Sequence, residues 1–156
     1  MLNSEQEPMK EREFPYNLPI WRDSYKAESP DKKYIAEIDP AYEVSMGNPT
    51  YGRLKLSNGL NLPRCNPSFI WSDDSKYLAV SQFTSNWFWG IGRQRVLLID
   101  VEQKRVWYSP KLAYYIQPES FSRGELRVTL NPFHKAKTLK YTLPKDLKEF
   151  TEMRLK

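Results

Sequence analysis

Ser68-Phe69-Ile70-Trp71-Ser72-Asp73-Asp74-Ser75-Lys76-Tyr77-Leu78-Ala79-Val80-Ser81 opens the stretch that decides the fold, and Arg95-Val96-Leu97-Leu98-Ile99-Asp100-Val101-Glu102-Gln103-Lys104-Arg105-Val106-Trp107-Tyr108 completes it. After an aromatic-rich start come three short runs of β-branched, aromatic and aliphatic residues: Tyr77 to Ser81, Arg95 to Val101 and Arg105 to Tyr108. Polar turn clusters separate them. Short runs divided by turn chemistry predict an antiparallel meander. Val96 to Val101 is apolar at nearly every position, which predicts a strand covered on both faces.

The chain has 156 residues, one domain's worth. Aromatics make up 14%, and 12 Pro and 6 Gly interrupt the sequence often, which favours many short strands over a few long helices. The formal net charge is +5, from 24 basic and 19 acidic residues mixed along the chain. No block of like charges marks a nucleic-acid tail. Cys65 is the single cysteine, so an internal disulfide and a zinc site of several cysteines are excluded. No apolar run reaches the length of a membrane span, and no secretion-signal core is present, so a cytoplasmic protein without membrane contact is expected.

Residues 1–13 are polar and of mixed charge, and are expected to form a flexible arm; residues 14–156 are expected to form a single β-rich domain. Phe14 to Trp21 is aromatic and Pro-broken, so it is expected to lie extended and pinned by its rings. Ser29-Pro30-Asp31-Lys32-Lys33-Tyr34-Ile35-Ala36 aligns without a gap with Ser72 to Ala79, about 43 residues on. In each copy a polar turn with Asp precedes a strand that opens on a ring. Asn58-Gly59, between Leu54-Lys55-Leu56 and Leu60-Asn61-Leu62, predicts a hairpin with both turn residues at positive φ. Ser122-Arg123-Gly124-Glu125-Leu126 is a third, looser copy, with alternating strands over Leu126-Val128-Leu130 and Leu139-Tyr141-Leu143, each with one wet face. Differing coverage of the copies predicts stacked small sheets with the middle one buried. Leu147, Phe150 and Met153 follow Pro144 at intervals of three and predict a short C-terminal amphipathic helix.

The paired turns resemble the repeat of β-propeller blades of the WD-repeat and TolB-like type, in which a Ser-Pro-Asp-Gly-Lys turn precedes a strand of each blade. Lys32 and Ser75 stand where that turn carries Gly. The resemblance spans residues 24–143 and implies about three antiparallel blade-like meanders. Closed propellers have four to eight blades, so the expected all-β fold is an open or partial propeller or a distorted sandwich, with a short C-terminal helix.

Catalytic chemistry has little to work with. His134 is the only histidine and lies in a loop by composition; no Gly-X-Ser-X-Gly elbow is present. Cys65, in Pro63-Arg64-Cys65-Asn66-Pro67, reads as a turn residue. Asp73 and Asp74 are explained as turn formers. Gly90-Ile91-Gly92 lacks the rest of a phosphate loop. No catalytic residue, metal ligand or cofactor site is assigned. The sharpest feature is Asn86-Trp87-Phe88-Trp89-Gly90-Ile91-Gly92-Arg93-Gln94-Arg95, read as a surface loop that interrupts a hairpin. Trp87, Phe88, Trp89, Arg93 and Arg95 are therefore the candidate partner-binding residues, because Trp, Tyr and Arg dominate binding hot spots. The plainer reading folds the rings back as a lid on the core. A non-catalytic protein-binding module is expected, concretely an immunity protein that neutralises a bacterial toxin. The alternatives are a nucleic-acid-binding protein whose rings and arginines stack on bases, and a structural or assembly protein.

Overall fold

The computed structural model describes residues 19–43, 49–86, 91–132 and 135–155. Its strands are β1 (Tyr25–Glu28), β2 (Ile35–Glu43), β3 (Thr50–Leu56), β4 (Asn61–Cys65), β5 (Ile70–Trp71), β6 (Tyr77–Asn86), β7 (Ile91–Asp100), β8 (Arg105–Tyr108), β9 (Ile116–Ser122), β10 (Glu125–Leu130), β11 (Lys137–Thr142) and β12 (Thr151–Met153). Among the described residues every strand pairing is antiparallel, and the helical segments are two 3-10 turns, Pro19–Trp21 and Lys145–Glu149, so the fold is all-β. One hydrogen-bonded sheet runs β1-β2-β3-β4-β6-β7-β8-β12, with β5 beside β6; a second runs β11-β10-β9.

The large sheet is two meanders joined at one point. β4 meets β6 only through Cys65 opposite Gln82, and β5 takes over the same edge of β6 at Ile70↔Ala79 and Trp71↔Leu78. Three units result: β1 to β4, β5 to β8, and β9 to β11. Alternation along the middle unit shows how they pack, since successive strand residues face opposite ways. Leu78, Val80, Leu97, Ile99 and Val106 join Ala36, Ile38, Leu54, Leu56 and Phe69 in one core. Tyr77, Ala79, Val96, Leu98 and Trp107 join Ile116, Phe121, Leu126, Val128 and Tyr141 in a second. The middle meander is thus covered on both faces, as the apolar run from Val96 predicts. Each buried aliphatic side chain contributes about 1.5–3 kcal/mol. The outer faces end the stack with polar groups: Arg53 and Lys55 on the first unit, Arg127, Lys140 and Thr142 on the last are exposed, and Glu37 beside them is half-buried.

The two aligned turns are built alike. Ser29 Oγ donates to Asp31 Oδ1 at 2.7 Å, and Asp31 Oδ1 also accepts the Lys33 N–H at 3.0 Å. Ser72 Oγ and the Lys76 N–H meet Asp74 Oδ1 at 2.6 and 3.0 Å. The Tyr34 and Tyr77 N–H groups donate to Ser29 Oγ and Ser72 Oγ at 3.1 and 2.9 Å. Lys32 and Ser75 hold the left-handed conformation, with φ of 63° and 65°. The turns are also tied to one another. The Asp31 N–H donates to Ser75 Oγ at 2.9 Å, and the Arg123 N–H of the third turn donates to Asp73 Oδ2 at 3.0 Å.

Several expectations are corrected. The C-terminal helix is only a 3-10 turn, Lys145–Glu149. A spacing of three suits 3-10 geometry, whose side chains eclipse every third residue; the extended backbone at Phe150 then leads into β12, which pairs with β8. Pro19–Trp21 is a 3-10 turn rather than extended chain. It is pinned by fully buried Ile20, whose carbonyl accepts from Asn66 Nδ2 at 2.9 Å, rather than by rings alone. At the Asn58-Gly59 hairpin only Gly59 has positive φ, 99°, because Asn58 Oδ1 caps the Leu60 N–H. Cys65 ends β4 and is buried, where a turn was expected. The stretch from Asn86 to Arg95 is mostly hairpin: β6 and β7 stay paired up to Asn86↔Ile91, so Arg93 and Arg95 are strand residues. Residues 1–18, which include the expected arm, and His134 lie outside the described residues.

Candidate functional site: the loop end of the stack

Antiparallel alternation gives the stack two distinct ends. The Asp31, Asp74 and Arg123-Gly124 turns, Ser57 to Gly59 and Val101 to Lys104 share one. It is closed by hydrogen bonds between turns, including Asn58 Nδ2 to Val101 O at 2.7 Å. The other carries the β2–β3, β6–β7 and β10–β11 connections and the Ser109 to Tyr115 link into β9. Its groups are less committed to the fold. Tyr42 is 68% exposed, Tyr114 50% and Leu112 44%.

Gln94 holds this end together. It is fully buried on β7. Its N–H donates to Ala113 O at 2.6 Å, its carbonyl accepts from the Ala113 N–H at 3.1 Å, and its Oε1 accepts the Ile116 N–H at 2.6 Å. Its Nε2 donates to Tyr51 Oη. One side chain thus links β3 of the first unit to β9 of the third through the middle strand. Burial pushes the Tyr51 hydroxyl well above the ordinary tyrosine range, against the pull of Gln94.

Arg93 and Arg95 lie two residues apart on one face of β7, yet their settings differ. Arg95 is half-buried. Its Nε and Nη2 donate to Gln82 Oε1 at 3.0 and 2.9 Å, and its guanidinium sits 4.2 Å from the Tyr108 ring centre. Burial lowers its pKa. Arg93 is exposed and lies 5.5 Å from the centre of the Tyr114 ring. It lines an open cleft of about 350 Å³ with Lys111, Tyr114, Asn131, Lys135 and Lys137. Four cations line this cleft, and among the described residues no carboxylate does. A second cleft near the other end is lined by Lys104, Arg105, Glu152 and Arg154, but there Arg105 Nη2 meets Glu152 Oε1 at 2.7 Å, so part of its charge is already paired.

Of the sequence candidates, Arg93 therefore faces the cleft and Arg95 is bound to Gln82 and Tyr108. Trp87, Phe88 and Trp89 lie outside the described residues; the last pair before them is Asn86↔Ile91. Sequence reasoning missed Lys111, Tyr114, Lys135 and Lys137. The signal present was Pro110-Lys111-Leu112-Ala113-Tyr114-Tyr115, a link that mixes a cation with apolar and aromatic residues.

The arrangement suits binding of anionic groups. Among the described residues no group of three or more His, Cys, Asp or Glu could hold a metal ion. Burial pushes the Cys65 thiol up to about 12, which leaves it protonated and a poor nucleophile. Both Asp73 and Asp74 accept backbone N–H bonds in turns. Among the described residues no helix is long and apolar enough to cross a membrane. Comparison with family models, curated proteins and solved structures finds no match to this chain.

Proposed function

We propose that the chain is a non-catalytic protein-binding module that takes an acidic partner at its loop end. The observation that carries this reading is the cleft of Arg93, Lys111, Lys135 and Lys137, lined by no carboxylate among the described residues and flanked by exposed Leu112 and Tyr114. Cations beside exposed rings and aliphatic groups suit a protein surface, where charge steers the encounter and apolar contact holds it. The concrete form proposed is an immunity protein that neutralises an acidic bacterial toxin. Trp87, Phe88 and Trp89, which follow Asn86 in the sequence, belong to the proposed contact as well. Arg95 supports it from behind by fixing β7 through Gln82 and Tyr108.

The fold reading belongs to the same proposal. The three units are taken as propeller-like blades in an open stack. The matching turn hydrogen bonds at Asp31 and Asp74, and the recurrence of four strands in the first two units, support it.

The test is capture from the native host with nuclease-treated extract. An acidic protein held by the wild type and lost by Arg93→Glu/Lys111→Glu supports the module. If that protein is encoded beside this chain and is toxic alone, the immunity form is supported. A second reading, nucleic-acid binding, draws on the same four cations and on Tyr114. Recovery of nuclease-sensitive material with a steep salt dependence would favour it instead.

A further inference from the structure

The three units do not have the same number of strands. The first runs β1-β2-β3-β4 and the second β5-β6-β7-β8, each with a fourth strand antiparallel to its third. The third unit stops at β11. The next strand in the chain, β12, pairs with β8 instead, at Thr151↔Tyr108, Glu152↔Trp107 and Met153↔Val106. This leaves β11 as the edge of a three-stranded sheet.

The register shows which backbone groups face out. The Leu143 N–H turns inward to Gly124 O at 2.7 Å, while the Thr142 N–H turns outward to Asp146 Oδ2 at 2.6 Å. Pairing of β11 with β10 is unbroken from Lys137 to Thr142. Antiparallel alternation therefore puts the N–H and C=O groups of Thr138 and Lys140 on the open side as well. Asp146 closes one end of the edge, and among the described residues no strand pairs with those two on that side. The other end begins at Lys137, inside the cationic cleft.

We infer that β11 receives an extended acidic segment of the protein partner as the missing fourth strand of the third unit, an inference that rests on the binding-module reading. Main-chain hydrogen bonds to an open edge give affinity, and alternate side chains give specificity. Lys140 is exposed on the outer face and Lys137 lies at the cleft end. Leu139 and Tyr141 line the inner face, where they pack in the second core. The incoming segment is therefore one that alternates acidic and apolar residues and runs antiparallel to β11, as β4 and β8 run to β3 and β7. A second copy of this chain fits poorly, because pairing two β11 edges brings their lysines together, and like charges placed opposite destabilise a strand pair. Lysine on an edge ordinarily deters pairing; here it selects the sign of the partner.

The test is amide exchange of the full chain by NMR, with a blocked peptide of alternating Glu and Val as long as β11 as the probe. Exchange at Thr138 and Lys140 is expected to slow by at least about fivefold, with Leu139 and Tyr141 little changed. A peptide N-methylated on the edge-facing amides should lose this protection, and Lys137→Glu/Lys140→Glu should weaken it. Shifts confined to Arg93, Lys111 and Tyr114, with no protection on β11, would overturn the strand inference and leave the cationic cleft standing. No response anywhere on the chain would overturn it too. Protection of Thr138 and Lys140 without peptide, in a species that light scattering shows to be a dimer, would overturn it in favour of a second copy.

Discussion

Replacing Gln94 by Met keeps the volume of a fully buried side chain and removes its polar atoms. The Ile116 N–H then loses its acceptor at 2.6 Å, and Tyr51 Oη loses its donor. The backbone bonds between residue 94 and Ala113 remain. Leaving one buried N–H unsatisfied costs about 1–3 kcal/mol, and the net loss of the tyrosine bond adds about 1 kcal/mol. The expected destabilisation is about 2–4 kcal/mol. For a chain of this size that lowers Tm by about 4–16 °C. Urea unfolding of wild type, Gln94→Met, Tyr51→Phe and the double variant checks it as a cycle. Because Tyr51→Phe removes the group that Gln94→Met strands, the double variant should be less destabilised than the sum, by about 0.5–1.5 kcal/mol. A cost for Gln94→Met below about 0.5 kcal/mol, or strict additivity, would refute the claim that Gln94 ties the units together.

Other substitutions probe the turns and the anchor. Lys32→Gly should raise stability by up to about 1 kcal/mol, since φ of 63° strains any side chain but glycine; calorimetry reads it as a small rise in Tm. Asp74→Ala should cost about 1–2 kcal/mol by freeing the Lys76 N–H and Ser72 Oγ, and should speed amide exchange at Lys76 and Tyr77 first. Ile20→Ala should cost about 2–5 kcal/mol in urea unfolding, because the site is wholly buried and cannot fill from solvent. Cys65 should resist thiol reagents in the folded protein and react on unfolding. Burial raises its pKa from 9.0 to about 12, so the unfolded chain releases this proton first. Its contribution to stability is full below pH 9 and is lost as pH climbs toward 12, which denaturant midpoints across that window would show.

The parts of the fold legible in the sequence are those written locally. Ser29-Pro30-Asp31 and Ser72-Asp73-Asp74 specify their turns because Asp31 and Asp74 each bond atoms within two residues of themselves. The doubly covered strand at Val96 to Val101 is legible because Val96 and Leu98 pack into one core while Leu97, Ile99 and Val101 pack into the other. What escaped depends on distant partners. Thr151 to Met153 becomes a strand only because the edge of β8 is there to receive it. Arg93 and Arg95 look alike in sequence, yet Gln82 and Tyr108 engage one, while Lys111, Lys135 and Lys137 gather around the other from two later connections. No spacing along the chain encodes that gathering.

The central claim is that the loop end binds an acidic partner while the turn end only holds the fold. Two variants that change net charge equally separate the ends: Arg93→Glu/Lys111→Glu at the cleft, and Lys104→Glu/Arg154→Glu at the other end. All four residues are exposed, so both variants should melt as the wild type does. The measurement is quantitative capture of the host partner by each. Loss with the first variant and retention with the second is the expected result. Equal retention by both, or loss with the second alone, would contradict the account.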